Sequence, residues 1–194
     1  MATAALIRYT PEEYLALERH AEFRSEYRDG LIVAMAGSTW RHNQIVLDFG
    51  AALRAALGDG PCRVALTDLR VKIADGRRYV YPDVVGVCGE RRFEDGVLDT
   101  LLNPVMVAEV LSPTTELYDR GDKFASYRTI ETLREYVLIA SEQVRVERYT
   151  RHGDIWQLSV FEDSAATLSL ESLGCEVSLR EMYRALDDEP GSAG

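Results

Sequence analysis

An α+β fold, with a central mixed β-sheet flanked by helices, follows from three observations in this 194-residue sequence. Two segments carry helix-start signals followed by apolar residues at helical spacing. Two apolar runs, at 79–87 and 105–111, are extended in character, and a pair of alternating segments near residue 150 reads as an additional C-terminal β-hairpin. The resulting order, α-β-β-α-β-β-β-β-α-β and then the hairpin, is the plan expected when helices interrupt strands that share one sheet.

Taken in order, Thr10-Pro11-Glu12-Glu13 opens the first helix, with threonine as cap, proline at the first helical position and acids in the first turn. Residues 23–28 and 31–36 flank Asp29-Gly30, a dipeptide suited to a two-residue hairpin turn. Ser38 is placed to cap a longer helix, in which Ile45, Phe49, Ala52, Leu53 and Ala56 recur at helical spacing until Gly58. Extended runs at 64–66, 69–73 and 79–87 then read as a β-meander, and 89–103 as an exposed loop. The strand 105–111 is apolar throughout except for Glu109. Asp119 and Asp122 are spaced as a capping box for a helix through Ile130, and residues 135–140 return to the sheet. Residues 144–149 and 155–161 alternate around His152-Gly153-Asp154, and a last helix is expected over 178–186. Residues 1–186 therefore read as one domain, and 187–194 as a disordered acidic tail.

Composition narrows the function classes. Forty-six per cent hydrophobic and 28% charged content is that of a globular domain long enough to bury a core. The formal net charge of −10 repels polyanions at long range, so any contact with DNA requires a local basic patch, bridging cations or a partner. The three cysteines are odd in number and widely spaced, and read as reduced thiols. The amino terminus has no secretory pattern and no apolar run is long enough for a membrane span, so a cytoplasmic protein is expected.

The chemistry lies in three ionisable residues. Asp83 sits in the run 79–87 and Glu109 in 105–111, and strand parity gives each carboxylate the face that carries apolar neighbours: Val85 and Val87 for Asp83, Val105, Val107 and Leu111 for Glu109. Such carboxylates are costly to bury unless a cation meets them. Lys123, Tyr127 and Ile130 form one stripe of the next helix, which brings the lysine back toward both acids. Two carboxylates suit a hard divalent ion such as Mg2+, which takes few protein ligands and keeps positions for water and phosphate. Taken alone, each residue has an ordinary reading as well: a strand-end acid, a structural ion pair, a solvated helix lysine.

The wider pattern of Glu26-Tyr27-x-x-Gly30, His42, Pro82-Asp83, Glu109-Val110-Leu111-Ser112-Pro113-x-Thr115, Asp119, Lys123, Tyr127 and Glu135-Tyr136 resembles the Uma-type restriction endonuclease family of the PD-(D/E)xK nuclease superfamily. The resemblance spans roughly residues 10 to 185 and implies a restriction-endonuclease-like fold. It also implies a Mg2+-dependent endonuclease, with Mn2+ as a substitute ion, that hydrolyses DNA phosphodiester bonds; a homodimer is expected as well, since two copies can assemble the local positive cleft that the net charge denies one. It assigns Asp83 and Glu109 as metal ligands, Lys123 as the cation that orients water or stabilises the transition state, and Glu26 as an auxiliary acid. His42 and Tyr127 support the pocket. The superfamily's usual lysine slot, two residues after the second acid, holds Leu111 here, and Lys123 on the following helix takes its place. The alternative is a catalytically silent binding or assembly module that keeps the nuclease fold and dimerises.

Overall fold

The computed structural model describes residues 7–184, so the expected tail at 187–194 lies outside the described residues. Helix α1 (Pro11–Glu18) starts as the sequence predicts: Thr10 accepts from the Glu13 amide and the Glu13 side chain accepts from the Thr10 amide. Strands β1 (Ser25–Arg28) and β2 (Leu31–Ala34) form a hairpin whose turn residues, Asp29 and Gly30, have φ of 48° and 95°. This positive φ is the conformation that glycine adopts without strain.

Helix α2 (Trp40–Leu57) begins one residue later than expected, because Thr39 rather than Ser38 receives the His42 amide. Ile45, Phe49 and Leu53 on its inner face are buried. Gly50 lets the helix approach the sheet closely: a Cβ there would sit 2.8 Å from a Leu66 methyl.

The expected β-meander divides between two sheets. Strands β4 (Arg70–Ile73) and β5 (Arg78–Val80) join β1, β2 and the short β7 (Thr100–Leu101) in the order β2-β1-β5-β4-β7. Strands β3 (Cys62–Leu66) and β6 (Val84–Cys88) instead join β8 (Met106–Leu111), β9 (Glu135–Ala140), β10 (Val146–His152) and β11 (Ile155–Phe161) in the order β11-β10-β9-β8-β6-β3. The run 79–87 therefore turns from one sheet into the other at Tyr81-Pro82-Asp83. The β7 pairing also means that 89–103 is not wholly an exposed loop, since Thr100, Leu101 and Asn103 are buried. A third sheet pairs β12 (Thr167–Leu170) with β13 (Cys175–Ser178), and α5 (Leu179–Met182) follows.

The six-stranded sheet is mixed, with β8 and β9 parallel and the other pairs antiparallel. Its two faces carry separate cores. Met106, Ala108 and Val110 pack with α2 and α5, whereas Val107 and Leu111 pack with Val85, Val87 and Tyr127. Period-two alternation is what sends neighbours in β8 to opposite cores.

Between β8 and β9 the chain is helical from 116 to 127, as α3 (Glu116–Tyr118), a π-helical turn (Asp119–Lys123) and α4 (Phe124–Tyr127). Asp119 is inside this run and is not its cap. The cysteine reading is corrected as well: Cys62 and Cys88 are opposed in the β3–β6 register and form a disulfide, while Cys175 is free. Their spacing of 26 residues conceals a pairing that only the register creates. No described helix is long and apolar enough to cross a membrane.

Candidate active site

The corner between the two sheets opens onto a cavity of ≈ 320 Å³. Asp83 stands at the corner, immediately before β6, and continuing the β6–β8 register by one step sets it opposite Glu109. Both oxygens of Asp83 are held: the Val110 amide donates to Oδ2 at 2.7 Å, and His42 Nε2 lies 3.1 Å from Oδ1. His42 reaches it from the first turn of α2, whose position depends on the close approach at Gly50.

Glu109 is in the middle of the face it shares with Val107 and Leu111 and is only 3% exposed. Its Oε1 lies 2.8 Å from Lys123 Nζ and accepts from the Tyr127 hydroxyl at 2.8 Å. Lys123 is 6% exposed, and its ammonium also lies 3.5 Å from Glu26 and 3.5 Å from Asp119. Glu26 comes from β1 of the other sheet, where Arg28, two residues along on the same face, binds its second oxygen at 2.6 Å. The Arg28 guanidinium stacks over Tyr118 at 3.8 Å.

Of the residues singled out from sequence, Glu26, His42, Asp83, Glu109 and Lys123 all line this cavity. Tyr127 does not line it; fully buried, it fixes Glu109 from beneath. Asp119 is the acid that sequence reasoning left out, having taken it for a helix cap. It is 3% exposed and lines the cavity. Its place four residues before Lys123, on the same helix face, was the available signal. The π-helical turn that carries both is a device found often at functional sites.

The electrostatics are unbalanced. Glu26, Asp68, Asp83, Glu109 and Asp119 line the cavity against Arg28 and Lys123, so acids outnumber fixed cations. Burial pushes the Glu109 carboxyl well above the ordinary range, with Asp119 and Asp83 adding to the shift against the pull of Lys123. Burial raises Asp119 in the same way. For Lys123 burial acts downward, but Glu109, Glu26 and Asp119 outweigh it and keep the ammonium charged.

This donor set fits a hard divalent cation. Carboxylate oxygens in excess of positive charge are the chemistry such an ion requires, and a cation there would offset the burial and the neighbouring Asp119 and Asp83 charges that raise Glu109. Among the described residues no three His, Cys, Asp or Glu side chains are gathered into a closed ligand set. His42 Nδ1 is buried without a hydrogen-bond partner among the described residues, leaving one more polar atom beside Asp83.

Known proteins resemble the chain along most of its length. Residues 11–181 match the model of the Uma2 family, described as "Putative restriction endonuclease". Two uncharacterized proteins of Synechocystis sp. (strain ATCC 27184 / PCC 6803 / Kazusa) are similar to it. One, sll1609, is 37% identical over 145 residues, covering 75% of this chain and 82% of that protein. The other, slr1290, is 33% identical over 184 residues, covering 95% and 96%. The crystal structure of a "putative nuclease belonging to DUF820" from Anabaena variabilis ATCC 29413 has the same fold, with a TM-score of 0.75 at 20% identity over 92% of this chain and 99% of that one.

Proposed function

The chain belongs to the Uma2 family, and from that membership together with the cavity we propose that it is a Mg2+-dependent endonuclease that hydrolyses DNA phosphodiester bonds. The observation that carries this reading is the convergence of three carboxylates, from β1, β8 and the π-helical turn, on one buried ammonium, with a fourth, Asp83, lining the same open, acid-rich cavity from the β5–β6 corner. A purely structural ion pair needs one acid for its lysine.

Asp83 and Glu109 are the proposed ligands of the metal, with Mn2+ as a substitute ion. Bound there, it would supply Lewis-acid polarisation of the phosphate and activation of water as the nucleophile. The protein residues provide the rest. The Val110 amide and His42 hold the Asp83 carboxylate in one orientation, and Tyr127 and Lys123 do so for Glu109. The Lys123 ammonium is placed to orient the attacking water and to stabilise negative charge developing on the phosphoryl oxygens as the P–O bond breaks. Glu26 shares Lys123 with Glu109 and, as an auxiliary acid, sets the position of that ammonium. Because the molecule carries a net charge of −10, DNA is engaged through the bound cation and through basic residues assembled in a homodimer.

The test is cleavage of plasmid and single-stranded DNA with Mg2+ or Mn2+ by wild type, Asp83→Ala and Lys123→Ala. Wild type is expected to cut, with both variants reduced about 100-fold or more, as for loss of a preorganised electrostatic group. Equal activity in all three overturns the site assignment, and absence of cleavage by wild type under every condition overturns the nuclease reading. Metal binding is read separately: Mg2+ at about a hundred times its dissociation constant is expected to stabilise wild type by ~2.7 kcal/mol in thermal unfolding. Asp83→Ala should lose most of that gain.

A further inference from the structure

We propose that Arg28 and Arg78, with the Tyr118 hydroxyl, form a clamp at the rim of the cavity that holds a nucleic-acid phosphate beside the Asp83 and Glu109 carboxylates. The proposal takes its substrate from the nuclease reading and adds residues which that reading leaves unused. Glu26 and Arg28 lie two apart in β1 and share the face that brings Glu26 into the cavity, and Arg28 is directly opposite Arg78 in the β1–β5 pairing. The other face, with Tyr27 and Tyr79, packs on Tyr14 of α1. Both guanidiniums therefore leave the five-stranded sheet on the cavity side. Like charges directly opposite on neighbouring strands, which run about 5 Å apart, repel each other. An anion between them converts that repulsion into binding.

The two arginines are held differently. Arg28 Nη2 lies 2.6 Å from Glu26 Oε2 and its guanidinium is stacked 3.8 Å over the Tyr118 ring, so its position is fixed. Arg78 is held loosely: its Nη1 is 3.4 Å from the Asp122 carbonyl and its Nη2 3.7 Å from Asp29, a carboxylate 56% exposed. Both distances are long for a charge-assisted hydrogen bond. Glu26 divides its two oxygens between Lys123 and Arg28, so Arg78 brings to this rim a positive charge that is not closely matched by a carboxylate among the described residues. The acids that suit a cation are thus flanked by a cation pair that suits the phosphate.

Tyr118 supplies an independent observation. It lines the cavity, and its hydroxyl is buried with no hydrogen-bond partner among the described residues. Buried donors are ordinarily satisfied, and one left unpaired is destabilising. Burial and Glu26 raise the pKa of this hydroxyl while Arg28, Lys123 and Arg78 act to lower it, so three cations face it. A phosphate oxygen drawn in by the arginines is the acceptor that the hydroxyl lacks. Arginine forks and hydroxyl donors are the groups that position a nucleic-acid backbone without reading its sequence. A molecule of net charge −10 needs such a local basic patch to approach DNA, and these residues are one chain's own share of it.

The experiment is equilibrium binding of a fluorescein-labelled DNA duplex to the full chain in EDTA over a salt series, for wild type, Arg78→Gln, Arg78→Lys and Tyr118→Phe. Wild type should bind. Arg78→Gln, with unchanged circular dichroism, should bind about tenfold more weakly, and its plot of log affinity against log salt should be shallower by about 0.9. Arg78→Lys keeps the charge and should restore that slope without the full affinity. Tyr118→Phe should weaken binding about threefold at an unchanged slope. A wild type that does not bind the duplex overturns the proposal, as does wild-type affinity and slope in Arg78→Gln. If Arg78→Gln does not fold, wild-type affinity in both Arg78→Lys and Tyr118→Phe overturns it instead. Inorganic phosphate that raises the wild-type Tm while the duplex fails to bind shows a site for free phosphate, which also overturns it. Cleavage with Mg2+ is read separately: binding that depends on Arg78 without any cleavage sinks the nuclease reading and keeps the clamp, and cleavage indifferent to Arg78 does the converse.

Discussion

Two buried ionic clusters in this molecule use the same residue types to opposite ends. Around Arg70, which is 3% exposed, the charges are balanced. Its guanidinium binds Asp99, the Thr100 hydroxyl at 3.2 Å and the Tyr81 hydroxyl at 2.8 Å, and Arg19 binds Asp99 from the other side at 2.9 Å. Tyr81 in turn donates to the buried Glu18. Burial acts to raise the Asp99 carboxyl, yet the two arginines outweigh it and hold it well below the ordinary range. Around Lys123 three acids share one ammonium, with Asp83 close by, and burial drives Glu109 and Asp119 upward. A cluster that serves the fold satisfies its charges; one whose acids outnumber its cations is suited to the divalent ion proposed above.

The comparison breaks most readily at Arg70. Replacement by methionine keeps the aliphatic bulk but strands Asp99, Thr100 and Tyr81 without their shared donor, so Arg70→Met is expected to cost about 3–5 kcal/mol of stability in denaturant unfolding. A loss below about 1 kcal/mol would mean that the network is ornamental, and the contrast with the cavity would collapse.

At Glu109 the expected sign reverses. Glu109→Gln retains the shape and an acceptor for Lys123 and Tyr127 while removing one charge from an acid-rich site. The variant should therefore be more stable than wild type at neutral pH, by about 1 kcal/mol, and should lose Mg2+-dependent cleavage. If it is less stable, Glu109 is the structural partner of Lys123, and the acid excess is already compensated.

Much of this contrast was legible in the sequence, and unevenly so. Parity along 105–111 placed Glu109 among apolar neighbours, and the spacing of Lys123, Tyr127 and Ile130 placed the lysine on the buried stripe; all three are buried in the structure. Such local periodicities survive folding because they are properties of one element. What escaped was set by pairing between elements. Asp119 looked like a cap because the π-helical turn that rotates it inward has no sequence signature. The Cys62–Cys88 bond depends on a register, and the division of the meander at Pro82-Asp83 depends on which strands β6 meets. Arg70, the centre of the balanced cluster, gave no signal at all, since an arginine opening a strand ordinarily reads as exposed.

The smallest effect is the most discriminating, because it separates the clusters by the direction of their pH dependence. Glu109 has a folded-state pKa above its unfolded value, so the folded protein holds a proton that the unfolded chain has released. Its contribution to stability is fully present below about pH 4.3, the ordinary glutamate value, and is lost as pH rises through the folded pKa. Asp99 has the opposite shift: its contribution is present above about pH 3.9 and is lost as pH falls through the folded value. The Tm advantage of Glu109→Gln over wild type should accordingly be absent at pH 4 and grow toward pH 7, with a slope of at most about 1.4 kcal/mol per pH unit. The Tm deficit of Asp99→Asn should be present at pH 7 and shrink toward pH 3. Parallel curves for the two variants would show that both carboxylates sit in equivalent surroundings, and the difference between the Arg70 cluster and the acid-rich cavity would have to be sought in something other than charge.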